Sequence, residues 1–209
     1  MVQYPYFQPA CYRQARPPMA RTKEFDPDVA LDLALDLFWR RGYEGCSLRD
    51  LLEAMDISRQ SLYDTFGDKR SLFLKVLARY EKLAMEGLVQ LLEGKGTVAA
   101  VRGFGEYFLS EIVLDRGSCL MANTAIEVGG DDREIQAIVR AYFVRVEAAI
   151  YAVLASAMEA GQIAEGRDLR ALARHLVNAI HGLGIMGRSG ASRPMLRQML
   201  SVAMSVLDH

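Results

Sequence analysis

The sequence predicts an all-helical protein, and three observations carry that expectation. Its six prolines stand at 5, 9, 17, 18, 27 and 194, so nothing between residues 28 and 193 interrupts a helix. β-Branched residues do not cluster, and no Asn-Gly or Asp-Gly pair marks a hairpin. Apolar residues instead recur at three- and four-residue spacing, the period of an amphipathic helix.

The elements follow in order. Asp26 is an N-cap with Pro27 at the first helical position, and Ala30, Leu33, Ala34, Leu37 and Phe38 form the apolar stripe up to Gly42. Ser47 and Asp50 make a capping box for a second helix that buries Leu48, Leu51, Leu52 and Met55. A third helix starts at Ser58 and buries Leu62 and Phe66; a fourth runs from near Asp68 to about Leu92. Thr97 caps a helix to about Asp115, and a short one spans Cys119 to Val128, stopped by Gly129-Gly130. Asp131 and Glu134 start a long helix to about Ala160. The last two run from Asp168 to Gly187 and from Ser192 to Leu207.

Composition narrows the class. With 51% hydrophobic and 24% charged residues the chain is globular, and no apolar run is long enough to span a membrane. Three scattered cysteines suit neither a disulfide framework nor a zinc site, so no metal or cofactor is expected and the cytoplasm is the expected location. GxxxxGK[ST], HExxH, GxSxG and CxxC are all absent, and three histidines leave little for acid–base work, so an enzyme is not expected. Residues 1–18 are rich in Tyr, Pro and Gln, and Met19 reads either as a natural start or as the end of a flexible extension. Arg13, Arg16, Arg21 and Lys23 make residues 1–23 a basic arm. The domains expected are 24–70, a helix-turn-helix, and 71–209, a larger helical unit.

Residues 47–66 read helix, three-residue turn, helix. Helices this short and this close cross steeply, with Leu51, Ile57 and Leu62 in the angle, and the second can enter the major groove of DNA. Its outward face carries Arg59, Gln60, Ser61, Tyr63 and Asp64, residue types that pair with bases or phosphates, with Lys69 beside them. A plain helical hairpin with a polar surface has the same pattern. From Met19 to Ser71 eight basic residues face eleven acidic ones, a net of −3, so the acids must lie away from the groove. Asp28, Asp32 and Asp36, four apart, suit a solvated face.

SLRDLLEAMDISRQSLYDTFGDKRSLF (47–73) resembles the DNA-binding signature of the tetracycline-repressor (TetR) family, most specifically at Ser58, Leu62, Tyr63, Phe66, Lys69 and Leu72. ALDLALDLFWRRGYEGCS (30–47) is similar to that family's first helix. The resemblance covers about 26–73; beyond it, helix number and length agree. It implies a homodimeric transcriptional regulator, usually a repressor, on a palindromic operator, with a small molecule in the C-terminal domain shifting the two recognition helices. It further implies Tyr63 and Lys69 as phosphate anchors, Arg59, Gln60 and Asp64 nearest the bases, and Ser47 and Arg49 on the backbone. Two departures stand out: Asp56 where the turn usually has Gly, and Gln60 where a small residue is frequent.

GSCLMANTAIEVG (117–129) is similar to a segment of a GxCLxxNxAxE-type subset, several members of which respond to electrophiles or oxidants. Cys119 at a helix start suits a thiolate sensor, and equally a buried apolar residue. An effector pocket is expected among Phe104, Tyr107, Phe108, Cys119, Asn123 and Glu127 on one side and Tyr142, Asn178 and His181 on the other, with Ile112, Val146 and Ile150 as apolar lining. Arg174, Asn178 and His181 share one helical face, which also reads as a solvated stripe. The last two helices, with Leu196, Met199, Leu200, Ala203, Val206 and Leu207 in one stripe and Met195, Val202 and Met204 beyond it, are the expected homodimer surface. Gly182, Gly184 and Gly187 would let helices approach there. A helical protein-interaction module that never touches DNA is the alternative from another class.

Overall fold

The computed structural model describes residues 25–92 and 97–208, which contain helices and connecting turns and no strand. The basic arm, Met19 and Cys11 lie outside the described residues. The chain divides into two compact units, the first reaching Leu83 and the second starting at Ala84.

In the first unit α1 (Pro27–Arg41), α2 (Leu48–Met55), α3 (Arg59–Phe66) and the start of α4 (Lys69–Leu92) enclose an aromatic core. Asp26 caps α1 by accepting from the backbone N–H of Asp28 and Val29. The face that α1 buries is Ala30, Ala34, Leu35, Phe38 and Trp39; Leu33, expected inside, is exposed. The large rings set that rotation. Trp39 meets Tyr80 edge-on at 5.0 Å between centroids, and Phe38 and Tyr43 meet Phe73 at 4.9 and 4.8 Å. Phe73 and Tyr80 belong to α4, which is why the first unit ends at Leu83 and not at residue 70 as the sequence suggests.

The second unit holds α5 (Val98–Tyr107), a π-helical segment (Phe108–Val113), α6 (Leu114–Arg116), α7 (Leu120–Glu127), α8 (Arg133–Glu159), α9 (Leu169–Arg188) and α10 (Arg193–Ser205). One uninterrupted helix from Thr97 to Asp115 is therefore corrected, and the Thr97 side chain makes no capping bond. Asp132, one residue after the expected start, caps α8; Asp168 and Ser192 cap α9 and α10 as anticipated. Helix α9 packs against α8, α10 and the π-helical segment. Gly184 permits its closest approach: a Cβ there would lie 2.4 Å from Ser118 Oγ. Gly187 likewise faces Val113, so these two glycines serve packing within the chain, while Gly182 faces open space. On α10, Leu196, Leu200 and Met204 are core, and Met195 and Val202 stay exposed. Among the described residues no helix is long and apolar enough to cross a membrane.

Candidate nucleic-acid interface and effector site

The helix-turn-helix is built from local chemistry. The Ser47 hydroxyl accepts from the Asp50 backbone N–H at 3.1 Å, and Ser47 N–H donates to the Asp50 carboxylate at 2.9 Å. The Ser47 hydroxyl also donates to the Asp50 carboxylate, at 2.5 Å, and these two bonds from Ser47, with the Arg41 guanidinium 3.2 Å away, hold the Asp50 carboxyl below its ordinary 3.8. Helix α2 ends at Asp56, whose φ of 53° and ψ of 43° are left-handed. It is the one non-glycine residue with positive φ among the described residues, so the departure from Gly is accommodated as expected of Asp. The chain then turns through Ile57, whose N–H donates to Leu52, and Ser58 caps α3 by accepting from Ser61 N–H at 3.0 Å. Leu51 and Leu62 are fully buried in the angle.

That burial rotates the polar side of α3 outward. Arg59, Gln60, Tyr63 and Asp64 are exposed, as is Thr65, which the sequence reading missed although it follows Asp64 on the same turn. Ser61 is half-buried, and its hydroxyl lies 2.9 Å from that of Ser58, so it supports the cap and does not project. Gln60 Nε2 donates to Asp64 Oδ1 at 2.7 Å, leaving the Gln60 amide oxygen and the Asp64 carboxylate as outward acceptors. The Lys69 ammonium sits 4.3 Å from the Tyr43 ring centroid, at the start of α4. Ser47 and Arg49 are exposed at the start of α2.

The acidic surplus is spent on structure. Asp26, Asp50 and Asp68 cap helices, the last by accepting from Ser71 N–H, which holds its carboxyl below 3.8. Asp32 takes a two-pronged bond from Arg79, at 2.9 and 3.0 Å, and Asp36 pairs with Arg40 at 3.0 Å. Asp28 and Asp32 are exposed and Asp36 half-buried on α1, a surface face.

In the second unit a ring cluster forms around His181. Its centroid lies 4.9 Å from Phe108, 5.0 Å from Phe143 and 6.4 Å from Tyr142, and Phe104 is 6.1 Å from Phe108. Phe143 was not foreseen, because only its neighbour Tyr142 fell on the chosen face of α8. Cys119 and Asn123, on α7 and its cap, are buried; Tyr107 and Glu127 are half-buried. Ile112, Val146 and Ile150 are core. Asn178 is corrected: it is exposed, in a surface stripe with Ala171 and Arg174, where Arg174 pairs with Glu147 at 3.2 Å. His181 leaves that stripe because its ring packs among the aromatics. Cys119 is 0% exposed, so the thiol has no access to solvent in this conformation.

A capped helix, a left-handed turn and a second short helix with a polar outer face define a helix-turn-helix DNA-binding unit, joined to a helical unit of different construction. Known proteins agree on both parts. Residues 30–76 match the family described as bacterial regulatory proteins of the tetR family, and 100–201 match the tetracyclin repressor-like C-terminal domain. The HTH-type transcriptional regulator YezE of Bacillus subtilis is 34% identical over 194 residues, covering 91% of this chain and 100% of that protein. The HTH-type transcriptional repressor ComR of Escherichia coli is 32% identical, covering 90% of each. Among solved structures, a cysteine mutant of the TetR family transcriptional regulator CifR complexed with 26-bp operator DNA superimposes with a TM-score of 0.79 at 28% identity, over 88% of this chain and 98% of that one. This chain belongs to the TetR family of transcriptional regulators.

Proposed function

We propose that the chain is a homodimeric repressor that holds a palindromic operator through α3 and leaves it when the second unit binds a small-molecule effector. The observation that carries the DNA half is the surface of α3: Arg59, Gln60, Tyr63 and Asp64 exposed together on a helix whose opposite side is locked into the core. In this reading Arg59 pairs with guanine, and the Asp64 and Gln60 oxygens accept from cytosine or adenine amino groups. Tyr63, Lys69, Ser47 and Arg49 hold phosphates, and Thr65 adds a hydroxyl and a methyl on the same side. That ComR is a repressor, and that CifR was solved on operator DNA, supports the reading.

The dimer half rests on apolar surface. Ile185 on α9 is 53% exposed and Val202 on α10 is 67% exposed, with Met195 also outside. A second copy of the same two helices would cover them in an isologous four-helix contact. The effector site is proposed in the ring cluster around His181, with Phe104, Phe108, Tyr142, Asn123 and Cys119. A small molecule is favoured over an electrophile because Cys119 is wholly buried. Helix α4, which carries residues of both units, is the proposed route of coupling. The work takes place in the cytoplasm, where the DNA is.

The test is fluorescence anisotropy with DNA from directly upstream of the protein's own gene, across a salt series. The expected result is tight, salt-sensitive binding competed by that DNA and not by random duplex. Arg59→Ala and Tyr63→Ala should each weaken it about tenfold or more while the dimer persists. Binding that ignores sequence, or variants that bind as well as the parent, would refute the reading.

A further inference from the structure

Among the described residues, two polar side-chain atoms of the second unit are buried without a hydrogen-bond partner: Asn123 Nδ2 and His181 Nε2. Their residues are 8% and 7% exposed, so bulk water does not serve them. Native proteins rarely leave such atoms empty, and each instance calls for an occupant or a role. Asn123 lies on α7 and His181 on α9, and both helices pack on α8. Helix α9 closes on the start of α7 where Gly184 meets Ser118, and the Tyr142 and Phe143 rings of α8 touch the His181 ring.

Their chemistry is complementary. The His181 Nδ1 lies 2.8 Å from the Val177 carbonyl oxygen, which can only accept, so Nδ1 carries the hydrogen. In the neutral imidazole Nε2 is then a bare acceptor. Asn123 Nδ2 is a donor only. A group that satisfies both must donate one hydrogen and accept another, and a hydroxyl does so with a single oxygen. The rings of Phe108, Tyr142 and Phe143 around His181 suit a flat apolar body attached to that hydroxyl.

We infer that Asn123 and His181 are the polar anchors of the effector site and that they select a compact, neutral hydroxylated molecule of the phenol or aryl-alcohol class, whose oxygen accepts from Asn123 and donates to His181. This deepens the proposed effector response and rests on it.

The experiment is calorimetric titration of the full chain with phenol, anisole and toluene, which share a ring and differ in the hydroxyl. Phenol should bind about tenfold or more tighter than anisole, which has no hydrogen to donate, and tighter again than toluene. It should also weaken the complex with the upstream DNA. Asn123→Leu and His181→Phe should each erase the preference for phenol over toluene, and the double variant should lose no more than either alone. The ligand series on the unaltered protein decides the matter even if a variant folds poorly. Equal affinity for the three compounds, or binding of none of them, overturns the inference and leaves the pair as a water site. So does phenol binding that leaves the DNA complex intact. If DNA binding is sound but phenol is inert, only this inference fails; if the protein does not bind the DNA at all, the regulatory reading fails first.

Discussion

The two units handle their polar groups in opposite ways. In the first, acids and hydroxyls are consumed at short range: Asp26, Ser47 and Ser58 cap helices, Asp50 closes a capping box, and Asp32 and Asp36 pair with arginines. What remains outward on α3 stands on a surface whose shape is already settled. In the second, buried Asn123 and His181 atoms lack partners, a π-helical turn interrupts a helix beside the ring cluster, and apolar side chains reach solvent on α9 and α10. A finished surface suits a rigid partner such as duplex DNA. Unfinished interior and apolar exterior suit partners that arrive later, a ligand and a second copy.

Substitutions can break or sharpen this contrast. The largest effect is expected at Trp39, buried against Tyr80: Trp39→Ala should cost about 3–5 kcal/mol in urea unfolding and abolish DNA binding by loosening the unit under α3. A smaller change of opposite sign is expected in the second unit. His181→Phe removes an unpartnered buried nitrogen, offset in part by the lost Nδ1 bond to the Val177 carbonyl, and should raise stability by about 1 kcal/mol by thermal melting. A loss of that size would mean the nitrogen is satisfied in solution and would dissolve the contrast.

Next comes the cap. Ser47→Ala should cost about 1 kcal/mol, and the cost should depend on pH. The Asp50 carboxyl sits below its ordinary 3.8 in the folded protein, so its contribution is complete above that value and fades as pH falls through the folded value. The gap between parent and variant, measured by urea titration at several pH values, should therefore shrink below 3.8 and stay constant above it. Smallest is the turn: Asp56→Gly should add about 0.5 kcal/mol by relieving a left-handed backbone, and Asp56→Ala should subtract.

The same contrast explains what was legible in the sequence. Caps and stops were readable because they are local: Asp26, Ser47, Ser58, Asp168, Ser192 and Gly42 stand where their helices begin or end. Asp56 could be placed because few residues tolerate its backbone. Facings were harder. Leu33 and Leu35 are equivalent by hydrophobicity, and only the packing of Trp39 and Phe38 on α4 selects Leu35. The π-helical segment was invisible because Phe108–Val113 is as apolar as a regular helix, and its extra backbone residue has no composition of its own. Asn178 and His181, three residues apart, look alike on a helical wheel; the rings of Phe108 and Phe143 draw one inward and leave the other in solvent. The unit boundary moved to Leu83 for a long-range reason too, the aromatic contacts of Phe73 and Tyr80.

The most direct test of the central claim is hydroxyl-radical footprinting on the DNA upstream of the protein's own gene, with the parent chain and with the Arg59→Ala, Tyr63→Ala double variant. Two protected stretches with centres about 10 base pairs apart, or a multiple of that, are predicted for the parent. Both should vanish in the double variant at unchanged melting temperature. A footprint that survives the double variant, or protection spread evenly along the duplex, would contradict a dimer reading DNA through α3.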